Sequence, residues 1–250
     1  MRDLDFLTRR PFAHRGLHNA ARGIYENSRA AFIAAIEHGY GIELDVQMSR
    51  DGQAIVFHDD TLDRLTDQCG PVRAMTAADL TGLTIGTSTD RIEPLADILN
   101  LIDGRVPVLI EIKDQSLTLS ETDGKLECAV AQAVANYSGP SAVMSFNPHA
   151  MFHINTTAPD VICGLTTCNF TPDEWPEVDA QRLRELDKIP DFDQLGAVFV
   201  SHDVNDLGNP ALTALRKRGV PILCWTVQSQ KQAASLDQLV DNITFENFLA

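Results

Sequence analysis

Positive charge is scarce in this chain: 20 lysines and arginines stand against 35 aspartates and glutamates, a formal net charge of −15. Nucleic acid and anionic membranes need basic surfaces, so neither is expected as a partner. Affinity for a small phosphate-bearing molecule would have to come from local positive charge inside a cleft. Cysteine is sparse too. Cys69, Cys128, Cys163, Cys168 and Cys224 are odd in number and scattered, with no CxxC pair. That excludes a zinc-finger spacing and predicts reduced, mostly buried thiols in a reducing compartment. No apolar run approaches the roughly 18 residues of a membrane helix, so no stable membrane anchor is expected. The opening Met1-Arg2-Asp3-Leu4-Asp5 lacks the apolar core of a signal peptide. A cytoplasmic protein acting on a small molecule is the expectation.

What the chain does have is alternation of strand-like and helical patterns along its whole length. Strands are predicted over residues 11–16, 41–48, 54–58, 106–113, 142–146, 161–166, 197–201, 221–227 and 242–245. Helices are predicted over 27–38, 94–102, 121–137, 148–155, 175–187, 210–218 and 229–239, with a short one opened by the capping box at Thr76 and Asp79. Alternation of this kind implies parallel pairing. About eight such units in 250 residues suggest an α/β fold of the TIM (β/α)8 barrel type, one domain over residues 1–250. A doubly wound sheet is the rival, but no glycine-rich phosphate fingerprint follows the first strand. Residues 49–93 are too long and irregular for one crossover and read as a small insertion on the catalytic face.

Several of these strands carry charge where a buried strand should not. Glu43 and Asp45 alternate with Ile42, Leu44 and Val46, so both carboxylates share one face. Unpartnered close carboxylates repel and are costly to desolvate, and a divalent cation is the simplest remedy. Glu111 and Lys113 repeat the spacing, and His14 and Arg15 sit at the end of the first strand. In barrels the C-terminal strand ends carry the active site. The all-oxygen set Glu43, Asp45 and Glu111 suits Ca²⁺ or Mg²⁺, with Mn²⁺ as a further candidate, rather than Zn²⁺. His14 and His58 each end an apolar run and suit acid–base work near neutral pH. His38 reads as structural, while His18, His149, His153 and His202 have no comparable setting. A cation, an arginine, a lysine and two imidazoles together fit phosphoryl transfer. Phe146 and Trp225 are candidates to shape a substrate pocket, although aromatics in strands are commonly core.

The ordered set His14-Arg15-Gly16, Glu26-Asn27, Phe32, Ala35, Gly39, Glu43-x-Asp45-Val46, Asp51-Gly52, Val56-x-His58-Asp59, Leu62-x-Arg64-x-Thr66 and Glu111-Ile112-Lys113, with Trp225-Thr226-Val227 later, resembles the glycerophosphodiester phosphodiesterase family. The resemblance implies a TIM-type barrel with an insertion carrying His58. It implies a divalent metal on Glu43, Asp45 and Glu111, an acid–base pair in His14 and His58, and phosphate contacts from Arg15 and Lys113. The implied reaction is hydrolysis of a glycerophosphodiester to sn-glycerol 3-phosphate and an alcohol, the glycerol 2-hydroxyl attacking phosphorus to give a cyclic phosphate that water opens. Alternatives on the same barrel are a lysophospholipase D or other phospholipid-type phosphodiesterase, and an inactive phosphodiester-binding protein. The chain departs from the family in two places. Tyr25-Glu26-Asn27-Ser28 replaces Pro-Glu-Asn-Thr, leaving Glu26 either close to the metal or in the first turn of a helix. Phe245-Glu246-Asn247-Phe248 replaces Thr-Asp-x-Pro, which alters the final loop and its rim without touching an expected catalytic position. The acidic stretch 169–187 reads as an exposed charged helix, with a lid as the alternative.

Overall fold

The structure is a computed structural model and describes residues 4–236 and 238–250. In chain order the strands are β1 (Phe12–Ala13), β2 (Gly41–Met48), β3 (Ala54–Val56), β4 (Glu93–Pro94), β5 (Val108–Ile112), β6 (Ser141–Ser145), β7 (Cys163–Thr167), β8 (Phe199–Asp203), β9 (Ile222–Val227) and β10 (Asn242–Phe245). The helices are α1 (Phe6–Arg9), α2 (Arg29–His38), α3 (Ala77–Leu80), α4 (Leu95–Ile102), α5 (Lys125–Ala135), α6 (Pro148–Thr157), α7 (Ala180–Leu186), α8 (Pro210–Lys217) and α9 (Gln230–Ser235). Apart from β3 and β4, the strands pair in parallel around a closed ring, which β1 completes by pairing with both β10 and β2. This is the TIM barrel that the alternation predicts. Met1, Arg2 and Asp3, on which the signal-peptide reading bears, and Asp237, within the predicted 229–239 helix, lie outside the described residues.

The period of two along each strand divides the apolar residues between two cores. Ile42, Leu44, Val46, Val108, Ile110 and Ile112 face outward and pack with helix residues such as Phe32, Leu95, Ile98 and Val130. Phe12, Leu109, Ala142, Met144, Phe199 and Leu223 fill the barrel from within. Gly164 leaves space for this plug: a Cβ there would lie 2.5 Å from the tip of the Phe199 ring. Above the plug the inward positions are polar, and there the chemistry collects.

Residues 49–93 lead from β2 to α4. β3 runs antiparallel to β2 and β4 antiparallel to β3, so the segment extends the sheet outside the ring. A separate cluster of Ile55, Phe57, Leu62, Leu65, Val72, Leu80, Ile85 and Ile92 holds it together. Thr76 caps α3 as predicted, its hydroxyl accepting from the Asp79 N–H. The five cysteines form no disulfide; Cys163, Cys168 and Cys224 are buried, whereas Cys69 and Cys128 are exposed. Among the described residues no helix is long and apolar enough to cross a membrane.

Two of the differences from expectation bear on the site and have identifiable reasons. The first strand stops at Ala13 instead of reaching Gly16, because Arg15 and Gly16 adopt positive φ angles of 54° and 80°. Glycine is needed at the second of these: a Cβ on Gly16 would lie 2.9 Å from the Ala31 Cβ and 3.0 Å from the Phe32 ring. The stretch 175–187 is helical only over α7 and is not simply an exposed charged face. Phe170, Val178, Leu183 and Leu186 are buried with Leu119 and Cys168, and Phe146, Trp175 and Trp225 pack against them. Gly16→Ala combines a left-handed φ with a backbone collision. We expect it to lower the melting temperature by at least about 4 °C, read by circular dichroism; an unchanged melting temperature would show that the turn tolerates a side chain.

Candidate active site

Glu43, Asp45 and Glu111 project into the barrel mouth and are 2%, 1% and 6% exposed. β2 and β5 pair in a register that sets Asp45 directly beside Glu111. One oxygen from each of the three carboxylates lies within 4.8 Å of the others. Lys113 Nζ bridges two of them, donating to Glu111 Oε1 at 2.6 Å and lying 2.8 Å from Asp45 Oδ1. Asp45 is held from the other side by Asn27, whose Nδ2 donates to Asp45 Oδ2 at 2.8 Å. Glu43 has less: its Oε2 accepts the Arg15 backbone N–H at 2.9 Å, a contact made possible by the positive-φ turn. Electrostatics follow this division. Burial alone would raise the Asp45 carboxyl, but Lys113, His58 and Arg15 hold it well below the usual range. Burial, Asp45 and Glu111 together push Glu43 well above it. Three carboxylates on one cluster therefore exceed the positive charge beside them, which is the condition that a cation relieves.

The two imidazoles approach the cluster from different elements. His14 follows β1, and its Nδ1 lies 2.7 Å from Glu246 Oε2. His58 follows β3, and its Nδ1 lies 2.8 Å from Asp59 Oδ1. Arg64 grips Asp59 through Nε at 2.7 Å and Nη2 at 2.8 Å, and also donates to both oxygens of Glu26. Arg15 Nη1 donates to the same Glu26 at 2.6 Å. Burial would raise the Glu26 carboxyl, but the hydrogen bonds from Arg64 and the charge of Arg15 lower it to about 2. A continuous chain of charges thus runs from Arg15 through Glu26, Arg64 and Asp59 to His58.

His14, Arg15, Glu43, Asp45, His58, Glu111 and Lys113 all line one cavity of about 110 Å³. Phe146 and Trp225 line it as well, and both also line a larger adjoining cleft of about 670 Å³, together with Trp175, Leu117, Asp59, Asp60, Asp114, Glu174 and Glu177. Phe146 is the hub of the aromatic wall, 5.1 Å from the Trp175 centroid and 5.4 Å from that of Trp225.

Every candidate from the sequence except Glu26 therefore reaches the cavity. Glu26 stands behind it on Arg15 and Arg64; it precedes the Ser28 cap of α2 and so is not in the first helical turn. His38, read as structural, bonds the Ala34 carbonyl. His202 is fully buried against Thr167 and Asp206. Asn27, Asp59 and Arg64 belong to the quoted motifs but had no assigned contact, because a spacing does not show which side chains meet. The altered final loop does reach an expected catalytic position, because Glu246 touches His14.

Arg64→Ala leaves Glu26 with Arg15 alone. A carboxyl held below its ordinary value contributes stability above that value and loses it as the group protonates, here between about pH 4.5 and 2. The variant, which also takes Arg64 from Asp59, should be less stable than the parent at neutral pH by about 1 kcal/mol, with the gap narrowing through that window. Denaturant melts at neutral pH and within the window check this; a gap that widens on acidification would contradict it.

A closed parallel barrel with titratable side chains gathered at the C-terminal strand ends is the architecture of a (β/α)8-barrel enzyme. The chain also matches the profile of the glycerophosphoryl diester phosphodiesterase family over residues 14–247, and it belongs to that family. It is 34% identical over 227 residues to a glycerophosphodiester phosphodiesterase of Caldanaerobacter subterraneus subsp. tengcongensis, covering 88% of this chain and 86% of that one. A phosphodiesterase of Oleispira antarctica in complex with the product sn-glycerol-3-phosphate has the same fold, with a TM-score of 0.77 at 20% identity over 96% of this chain and 93% of that one. So does a glycerophosphodiester phosphodiesterase of Thermotoga maritima, with a TM-score of 0.69 at 21% identity over 95% and 94% of the respective chains. The chain is a phosphoric diester hydrolase.

Proposed function

We propose that this enzyme hydrolyses glycerophosphodiesters to sn-glycerol 3-phosphate and an alcohol, and that it does so with a divalent cation and two histidines. The observation that carries the reading is the convergence of three carboxylates, two cationic side chains and two imidazoles on one cavity. Glu43, Asp45 and Glu111 are the residues that would hold the cation. Their all-oxygen set and excess negative charge suit Ca²⁺ or Mg²⁺, with Mn²⁺ also compatible. When bound, the cation supplies Lewis-acid stabilisation of charge on the phosphoryl oxygens. Two other triplets have comparable spacing, His14 with His18 and Glu246, and Glu26 with His58 and Asp59. Each of those includes an imidazole and so lacks the all-oxygen set that Ca²⁺ and Mg²⁺ prefer.

Arg15 and Lys113 are the phosphate ligands in this reading, fixed donors in a site where their charges are screened less than in water. One imidazole takes the proton from the glycerol 2-hydroxyl as its oxygen bonds to phosphorus. The other gives a proton to the departing alcohol oxygen as its bond to phosphorus breaks. Water then opens the cyclic phosphate with the roles exchanged.

The adjoining cleft bears on the choice of alcohol. Its aromatic wall would accept an apolar group, but Asp59, Asp60, Asp114, Glu174 and Glu177 line it too. Acidic walls favour a polar or cationic alcohol over an acyl chain, and so a glycerophosphodiester over a lysophospholipid.

In a coupled glycerol-3-phosphate assay, chelation should abolish turnover, and Ca²⁺, Mg²⁺ or Mn²⁺ should restore it. His14→Ala and His58→Ala should each lower kcat by about 100-fold or more with the fold intact. Glycerophosphocholine should be cleaved faster than lysophosphatidylcholine. Tight binding without product would indicate a binding protein, and undiminished turnover in both histidine variants would overturn the mechanism.

A further inference from the structure

The last strand and the first close the barrel against each other, and that closure sets one carboxylate behind one imidazole. The register pairs Ala13 with Phe245. His14 N–H continues the ladder by donating to the Phe245 carbonyl at 2.9 Å. The residue that follows β10 is Glu246, which therefore lies beside His14 although the two are 232 positions apart in sequence.

We propose that Glu246 is a positioning residue for His14: its carboxylate accepts the Nδ1 proton, fixes the tautomer and orientation of the ring, and leaves Nε2 to move a proton in the cavity. This rests on the acid–base role given to His14 above. Both carboxylate oxygens are engaged. Oε2 receives His14 Nδ1 at 2.7 Å. Oε1 accepts from Gln228 Nε2 at 2.7 Å and from Asn247 Nδ2 at 3.4 Å, while Asn247 also donates to Gln228 Oε1 at 2.6 Å. The amide groups thus steady the carboxylate from the side opposite the imidazole. His18 Nε2 lies 3.4 Å from Oε2 without completing a hydrogen bond.

The hydrogen bond from His14, with the nearby His18 imidazole adding to it, keeps the Glu246 carboxyl well below its ordinary value. An ionised carboxylate only accepts, so the hydrogen between Glu246 and His14 belongs to Nδ1 and the lone pair of the neutral ring belongs to Nε2. His58 has a comparable arrangement with Asp59, but there the carboxylate is also gripped by Arg64. Among the described residues, the Glu246 carboxylate has neutral amides and imidazoles as its hydrogen-bond and ion-pair partners.

The test is kinetic and spectroscopic, on the full chain loaded with its activating cation. Glu246→Ala and Glu246→Gln should lower kcat by about 10- to 100-fold while KM moves by no more than about twofold. Glu246→Asp, which keeps the charge, should retain more activity than Glu246→Gln. Added to His14→Ala, the Glu246→Ala change should cost no more than about a further twofold, because its effect passes through His14. Histidine ¹⁵N spectra should show His14 protonated at Nδ1 in the parent and should lose that preference in Glu246→Gln. Undiminished kcat, an effect confined to KM, or a full further loss in the His14→Ala background would overturn the proposal. If the parent cleaves no glycerophosphodiester, the functional reading fails, and the ¹⁵N spectra still decide whether Glu246 sets the tautomer. If Glu246→Ala does not fold, the isosteric Glu246→Gln carries the test.

Discussion

The arrangement depends on crowded negative charge at the mouth of the barrel. Glu43, Asp45 and Glu111 are buried together, and nearby groups serve either to offset their charge or to hold them apart from water. Lys113 spans two of them, Asn27 ties Asp45, and the turn at Arg15 and Gly16 gives Glu43 a backbone donor. Removing one partner from such a set would leave a desolvated charge, which costs more than the lost contact is worth. The sequence therefore accepts strain, as positive φ angles at Arg15 and Asn27, where it brings donors to these carboxylates.

A barrel supplies this crowding more readily than an open sheet does. Parallel neighbours with side chains of period two direct alternate residues from every strand into the same narrow space. The plug of Phe12, Leu109, Met144 and Phe199 seals the space from below, so the polar layer is open on one side only. Substrate and cation must enter through that side, past Phe146 and Trp225.

The sequence was most informative where one strand carries its own signal. The alternation in Gly41–Met48 marks both its structure and its carboxylate face, and β2 has the predicted bounds. Ring closure follows from counting units, and the family resemblance added the order of the motifs. Contacts made by distant residues were not readable. Glu246 is an acid in an atypical loop until β1 and β10 pair, and Arg64 is one exposed arginine until it joins Glu26 to Asp59. Helix limits slipped where loop chemistry dominates. α5 begins at Lys125 because Gly124 is left-handed, and residues before it are held in turns by Asp114 and Ser116. In the acidic 169–187 stretch, charge along the sequence obscured the buried side made by Phe170, Val178 and Leu183.

The separate apolar cluster of residues 49–93 has a consequence for how the enzyme loses function. His58, Asp59 and Arg64 are carried by a unit with a small core of its own, joined to the barrel by β3, whose Ala54 and Val56 lie in the main core, by hydrogen bonds from Gln47 to His58 and Asp60, and by the Arg64 and Arg29 ion pairs. Small cores open at lower free energy than the body they sit on. One histidine thus belongs to the barrel's closing seam and the other to a unit with its own small core, and local opening of that unit would part the two imidazoles while the ring of strands is still intact.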